Sequence, residues 1–183
     1  MKTGLVIVDI QNDYFPGGKM PLVEIERAAA NAAKLLSHFR STKQPTFHIQ
    51  HTWEDKSAPF FVDGSDGARI HRSIAAGPNE TVIVKHFPNS FRNTQLLEEL
   101  QKAGIERLAI CGAMSHMCID ATTRAAADLG FECVVAHDAC ATTDVEFNGA
   151  KVPAAEVHAA FMSALAFAYA KVLPTTATIA ECN

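Results

Sequence analysis

RLAICGAMSHMCIDATTRAAADLG, residues 107–130, decides how this chain is read. Arg107–Cys111 is a short apolar run without polar alternation, the pattern of a strand buried on both faces. Ser115–Leu129 follows as a helix. Ala121, Ala125, Ala126 and Leu129 fall along one side, and Gly130 stops it. A strand running straight into a helix is the repeating unit of a parallel α/β sheet. The same stretch places a thiol, Cys118, just where the strand has ended and the helix begins.

The rest of the chain repeats the alternation. Gly4–Asp9, Thr46–Gln50, Thr81–Lys85 and Cys133–Ala136 read as further strands. Between them, Glu24–Phe39 carries Ile25, Ala28, Ala32, Leu35, Leu36 and Phe39 at helical spacing. Thr94–Ala103 follows the cap Asn93 and ends at Gly104. Val152–Ala170 is long and Ala-rich, with Pro153 near its first turn. These elements predict one α/β domain over residues 1–183, a three-layer α/β/α arrangement. Residues 51–79 break the pattern. They are rich in Gly, Pro, Asp and Ser and carry Trp53, Phe60 and Phe61. A long irregular segment is usually functional, so this loop is expected to shape a pocket.

Composition narrows the function. The 183 residues carry a formal net charge of −4, with 16 Lys and Arg that form no run. Nucleic acids and anionic membranes call for basic patches, so neither is an expected partner. No apolar stretch approaches the roughly 18 residues of a membrane span. Asp9 cuts the N-terminal apolar run too short for a signal peptide, so the expected location is cytoplasmic. The five cysteines, Cys111, Cys118, Cys133, Cys140 and Cys182, form no CxxC pair. That argues against a disulfide framework and a structural zinc site. Cys111 and Cys133 read as core, Cys140 as a packing position near the site, and Cys182 as exposed.

In open parallel sheets, ligands bind at the carboxyl ends of the strands. Asp9 ends the first strand, Lys85 the third, and Cys118 follows the fourth. An acid, a base and a thiol at one sheet edge make a coherent set. A helix N-terminus and a nearby ammonium stabilise a thiolate. A carboxylate accepts the thiol proton. Backbone N–H groups in the turn before Cys118 would bind the oxyanion formed on attack at a carbonyl. Asp13 is a second candidate acid. His116 lies too close in sequence to Cys118 to face it and is expected to line the pocket at most.

At this point the sequence resembles the isochorismatase-like cysteine hydrolases, which include nicotinamidases and N-carbamoyl amide hydrolases. GLVIVDIQNDYFPGG, DGSDGARIHRSIAAGPNETVIVKHFPNSF and LAICGAMSHMCIDATTRAAADLGFECVVAHDACAT are similar to the family's three blocks, in order and across nearly the whole chain. The resemblance implies a Rossmann-like fold with a six-stranded, mostly parallel sheet. It implies Asp9 as general base, Cys118 as nucleophile and Lys85 as the residue supporting the thiolate. It also implies a cis peptide at Ala113–Met114, with the N–H groups of Met114 and Cys118 as oxyanion donors. Family members are often dimers or larger, so a homodimer or homotetramer is expected. The Ala-rich helix could serve as a subunit contact.

The match departs in one place. Nicotinamidases of this family carry Asp-x-His after the second strand and a further His downstream, together binding a metal. Here residues 51–55 read HTWED, leaving His51 and His71 as the remaining possible ligands. The expectation is therefore no metal, no cofactor and a substrate other than nicotinamide. Isochorismatases proper generally lack the cysteine, so its presence points to acyl transfer from a small amide. The same site could instead hydrolyse an ester, a lactam or an isochorismate-type ether, or the thiol could serve a redox sensor. Gln11, Phe15, Trp53, Phe91 and Met117 are the substrate-contact candidates. Gln11 could equally bond loop backbone; Phe15, Phe91 and Met117 could equally be core, whereas Trp53, in the irregular loop, is expected in a pocket or subunit interface rather than deep core. Arg69, Arg72, Arg92 and Arg124 offer no unambiguous carboxylate clamp. No G-x-G-x-x-G follows the first strand, which excludes a dinucleotide site of that type.

Overall fold

A computed structural model of the protein describes residues 1–182. Strand β1 (Thr3–Val8) leads to helix α1 (Ile25–Ser41), then to β2 (Thr46–His51) and β3 (Thr81–Lys85). Helix α2 (Leu96–Lys102) and β4 (Arg107–Ala113) follow. A single π-helical turn, Ser115–Ile119, runs directly into α3 (Asp120–Asp128). The chain continues through β5 (Glu132–Ala141), a hairpin of β6 (Val145–Phe147) and β7 (Ala150–Val152), and α4 (Ala154–Ala168). It closes with β8 (Lys171–Leu173) and α5 (Thr175–Glu181). Six strands form one sheet in the order β3-β2-β1-β4-β5-β8, and every pairing is parallel.

The apolar runs form the sheet because both of its faces are covered. Along β1, Leu5 and Ile7 face α1, where they meet Leu35, Leu36 and Phe39. Val6 and Val8 face the other way, into a core shared with Leu96 and Leu100 of α2, Ala126 of α3 and Leu165 of α4. The two-residue period of a strand divides these sets. Each fully buried Leu, Ile or Phe stabilises the fold by about 1.5–3 kcal/mol, so the two layers reinforce one sheet. Helix α1 shows the matching period, with Ala28, Ala32, Leu35 and Phe39 buried.

Several boundaries differ from the sequence expectation. Strand β1 stops at Val8, and Asp9 turns out of it with φ 52°. Strand β2 runs one residue further than expected, so His51 belongs to the sheet. Strand β5 continues to Ala141 through His137 and Asp138, whose polarity hid the extension. Helix α2 starts two residues later than expected, and Asn93 does not cap it but sits at φ 55°. Residue Val152 closes the hairpin, and α4 begins only after Pro153. The sixth strand and α5 had no local signal, being three and seven residues long. Helix α5 packs on β5 and α1. It carries Cys182 into the core at 3% exposure, correcting the expectation that this thiol is exposed.

The sheet order fixes where a ligand can sit. From β1 the chain passes to β2 on one side, and later to β4 on the other. The crevice at the carboxyl ends of β1 and β4 is the topological switch point. Gly112, near the end of β4, has φ 127°, and a Cβ there would run into the Val8 carbonyl. The two strand ends therefore approach more closely than any side chain at residue 112 would allow.

Candidate active site

Asp9, just past β1, and Cys118, in the π-helical turn after β4, flank that crevice. Lys85 is the last residue of β3, two strands away from β1, a backbone separation of about 10 Å. Its long stem passes the end of β2, beside its register partner His51. The Nζ reaches 2.7 Å from Asp9 Oδ2. Both side chains are fully buried, and Cys118 is 4% exposed. Donor atoms of Asp9, His51 and Cys118 all lie within 4.8 Å of one another. The expected triad thus converges at one edge of the sheet.

Lys85 is held by more than the carboxylate. Its ammonium donates to the carbonyls of Phe87 (3.1 Å) and Pro88 (3.3 Å), and Nδ1 of His51 lies 3.3 Å away. The segment bearing these carbonyls is tied to the nucleophile helix. The Ser90 amide donates to Thr122 Oγ1 at 3.1 Å, and the two hydroxyls are 2.8 Å apart. Thr122 and Ser90 are both buried. These bonds tie the lysine loop to the helix that follows Cys118.

Burial raises the Asp9 carboxyl above its ordinary value, with Lys85 partly offsetting this. Burial opposes the Lys85 charge, but Asp9 and Cys118 outweigh it and hold the ammonium up. Burial, then Asp9, pushes the Cys118 thiol up against the pull of Lys85. Burial and Asp9 thus work against the thiolate that Lys85 and the helix terminus favour. The Lys85 ammonium, 2.7 Å from Oδ2, is the main support of the buried Asp9 carboxylate among the described residues.

The peptide Ala113–Met114 is cis, as the resemblance implied. The Met114 carbonyl accepts from Met117 N (3.0 Å) and Ile119 N (3.2 Å). Among the described residues, the Met114 and Cys118 amides make no recorded backbone hydrogen bond outside the regular elements.

The substrate-contact candidates divide. Gln11 is fully buried, and its amide is spent on backbone. It donates to His51 O (2.8 Å) and Ala68 O (2.7 Å) and accepts from His51 N (2.8 Å). It is a structural clamp, which corrects its candidacy as a substrate contact. Phe91 stacks on Phe131, with centroids 6.3 Å apart, and packs against the core cluster that includes Cys118. Phe15 is buried and stacks on the His71 ring at 3.6 Å. Trp53 and Met117 remain exposed, at 37% and 40%, and the Trp53 ring lies 4.8 Å from His51. Asp13 accepts from the amides of Lys19 and Phe61 and so orders the loop rather than supplying a second acid. His116 bonds Thr142 at 2.6 Å.

Sequence reasoning overlooked two neighbours of the triad. His51 passed for a loop residue, although TFHIQH extends the β-prone run by one position. Tyr14 is 2% exposed. Burial, then the charges of Asp9 and Cys118, raise its phenol, which places it close to the site. Its signal was its place five residues after Asp9 in a tight 3₁₀ turn.

The donor trio Asp9, His51 and Cys118 does not suit a divalent metal. The Lys85 ammonium, 2.7 Å from the carboxylate and 3.3 Å from the imidazole, already supplies a positive charge beside two of the three. His71 is not part of that group. Its Nδ1 caps the short turn that follows it, 3.3 Å from the Ser73 amide.

The sequence profile of the isochorismatase domain matches residues 3–175. The chain belongs to the isochorismatase family. An isochorismatase family protein of Bacillus subtilis strain 168, YddQ, is 55% identical over 177 residues, covering 97% of this chain and 98% of that one. A crystal structure of an isochorismatase-type hydrolase from Oleispira antarctica superposes with a TM-score of 0.95 at 58% identity. It covers 98% of this chain and 96% of its own. Nicotinamidase 3 of Arabidopsis thaliana is 29% identical over 175 residues, covering 91% of this chain and 81% of the plant enzyme. The six-stranded parallel sheet is therefore that of an isochorismatase-family hydrolase, as the sequence resemblance implied.

Proposed function

We propose that this isochorismatase-family hydrolase cleaves the C–N bond of a small amide, through a Cys118–Asp9–Lys85 triad and a thioester. The reading rests on one observation: a thiol, a carboxylate and an ammonium, all buried, gathered at the switch point with Lys85 2.7 Å from Asp9. A nicotinamidase among the relatives supports the amide class.

The chemistry follows from the charges. Asp9, raised by burial, is a better base than a free carboxylate. It takes the Cys118 proton as sulfur bonds to the amide carbon, and the carbonyl electrons move to oxygen. The N–H groups of Met114 and Cys118 face that oxyanion. Asp9 then returns the proton to the leaving nitrogen, the C–N bond breaks, and ammonia or an amine departs. Water attacks the thioester, Asp9 takes its proton, and the thiol is released with the acid. Lys85 stays charged throughout and supports whichever anion, carboxylate or thiolate, the step creates. No cofactor enters the cycle. Trp53, Phe15 and Met117 wall the substrate in this reading. The enzyme works in the cytoplasm as a homodimer or homotetramer. The outward face of α4, where Phe167 is 92% exposed, supports such a contact.

Ammonia release from a panel of primary amides, ureido acids and lactams tests the reading, with wild type and Cys118→Ala, with and without chelator. Release that is lost in the variant and indifferent to chelator supports it. Equal turnover by Cys118→Ala sinks it. Hydrolysis of matched esters alone would move the reading to an esterase on the same site.

A further inference from the structure

His51 is held in place more firmly than an ordinary strand-end residue. Both its amide and its carbonyl are bonded by Gln11, itself fully buried. The ring is 5% exposed and packs beside Trp53 and Phe61, with centroids 4.8 and 6.2 Å away. Its Nδ1 lies 3.3 Å from Lys85 Nζ, and its Nε2 is buried with no partner. An ammonium has only donors, so Nδ1 must be the acceptor, and the ring proton belongs on Nε2. The charged and titratable groups around the ring are Lys85, His86, Asp9 and Cys118. Burial, then Lys85 and His86, hold the imidazole down to about 3, so it stays neutral at working pH.

From this geometry we propose that His51 is a positioning residue of the triad: its neutral Nδ1 aims the Lys85 ammonium at Asp9 and Cys118. The inference rests on the cysteine-hydrolase reading above. Lys85 arrives from two strands away on a flexible stem, and a lysine left to itself samples many rotamers. Two carbonyls from its own loop restrain it on one side. His51, on the intervening strand, is the restraint contributed from the sheet. A carboxylate there would draw the ammonium away from Asp9, and a protonated imidazole would repel it. A neutral acceptor does neither. In this tautomer the buried Nε2–H has no partner among the described residues.

The test uses readouts that need no known substrate. In wild type, the ¹⁵N shifts of His51 should show a bare Nδ1 and a protonated Nε2 from about pH 5 to pH 9. Iodoacetamide alkylation of Cys118, followed by mass spectrometry, reports its reactivity. His51→Leu should slow alkylation about tenfold and shift its pH profile by about one unit. His51→Asn, whose amide oxygen can stand near Nδ1, should restore most of both, while His51→Gln should not. If His51→Leu fails to fold, the contrast between Asn and Gln carries the test. A protonated Nδ1, or equal behaviour of Asn and Gln variants, overturns the proposal. Slowing by Lys85→Met without any change in the His51 variants overturns it too, yet leaves the triad standing. Retained amide turnover by Cys118→Ala removes the triad and this inference together.

Discussion

Lys85 Nζ lies 2.7 Å from Asp9 Oδ2, and neither side chain touches solvent. A buried pair of this kind is weak evidence for stability as such, but breaking it is costly because one charge is left alone. Lys85→Met should therefore abolish turnover and destabilise the fold by about 3–5 kcal/mol at neutral pH. The sign with pH is fixed. Asp9 already sits above its ordinary value, and without Lys85 it rises further. A carboxyl with a raised folded pKa loses stability as pH climbs past its unfolded value. The variant should thus recover as pH falls toward about 4. Urea midpoints at about pH 7 and pH 5 check this, and an unchanged gap would refute it.

Cys118 should behave unlike a redox-sensing cysteine. Burial and Asp9 raise its thiol above the ordinary value near 9. The thiolate fraction then stays small at neutral pH and keeps growing into strongly alkaline solution. Alkylation in the free enzyme should climb without a plateau up to pH 9 and beyond, while the other four cysteines, all buried, react more slowly still. A plateau below pH 8 would mean a preformed thiolate and would restore the sensor reading.

How much of this could be read from the chain depends on range. The strand GLVIVD and helix 115–129 carry their own signals, since apolar period and a terminal Gly are local. Asp9, Lys85 and Cys118 could be paired because parallel topology puts strand ends on one edge. What escaped is what only three dimensions decide. For Gln11, substrate contact and loop backbone stood level in the sequence; its amide in fact bonds backbone 40 and 57 residues away. His51 looked like a loop residue because HTWED carries no strand period. The burial that opposes a Cys118 thiolate is invisible in sequence, whereas the helix position that favours one is not. Strand β8 is three residues long and exists only because β5 offers it an edge.

Thr122→Val should separate catalysis from folding. The substitution keeps shape and removes the hydroxyl that bonds Ser90, the link between the lysine loop and α3. Ser90 is then left with a buried amide and hydroxyl unpaired. The expected loss is about 1–3 kcal/mol, modest against the stability of a domain this size. Turnover should fall by more than unfolding accounts for, in kcat rather than KM, because Lys85 is displaced and the pocket wall is not. A fall in KM affinity alone would place Thr122 in binding instead.

Glu80, just before β3, accepts from Arg40 Nε (2.6 Å), Arg40 Nη2 (2.8 Å), His48 Nε2 (2.9 Å) and the Gly77 amide (2.7 Å). The Arg40 bonds in particular hold its carboxyl down to about 2. Burial keeps His48 below its ordinary value, so the ring meets Glu80 as a neutral Nε2–H donor. A depressed carboxyl stabilises the fold above its unfolded value and loses that contribution as pH falls through the folded one. The window therefore runs from about 4.5 down to about 2. Glu80→Gln should cost about 1–2 kcal/mol at neutral pH, since Arg40 is nearly half exposed and solvent screens its share. The gap between wild type and variant should close across that acid window while turnover per folded molecule stays unchanged. Urea titrations at stepped pH measure it. A gap that stays constant down to about pH 2 would show that packing around Glu80, not its charge, carries the effect.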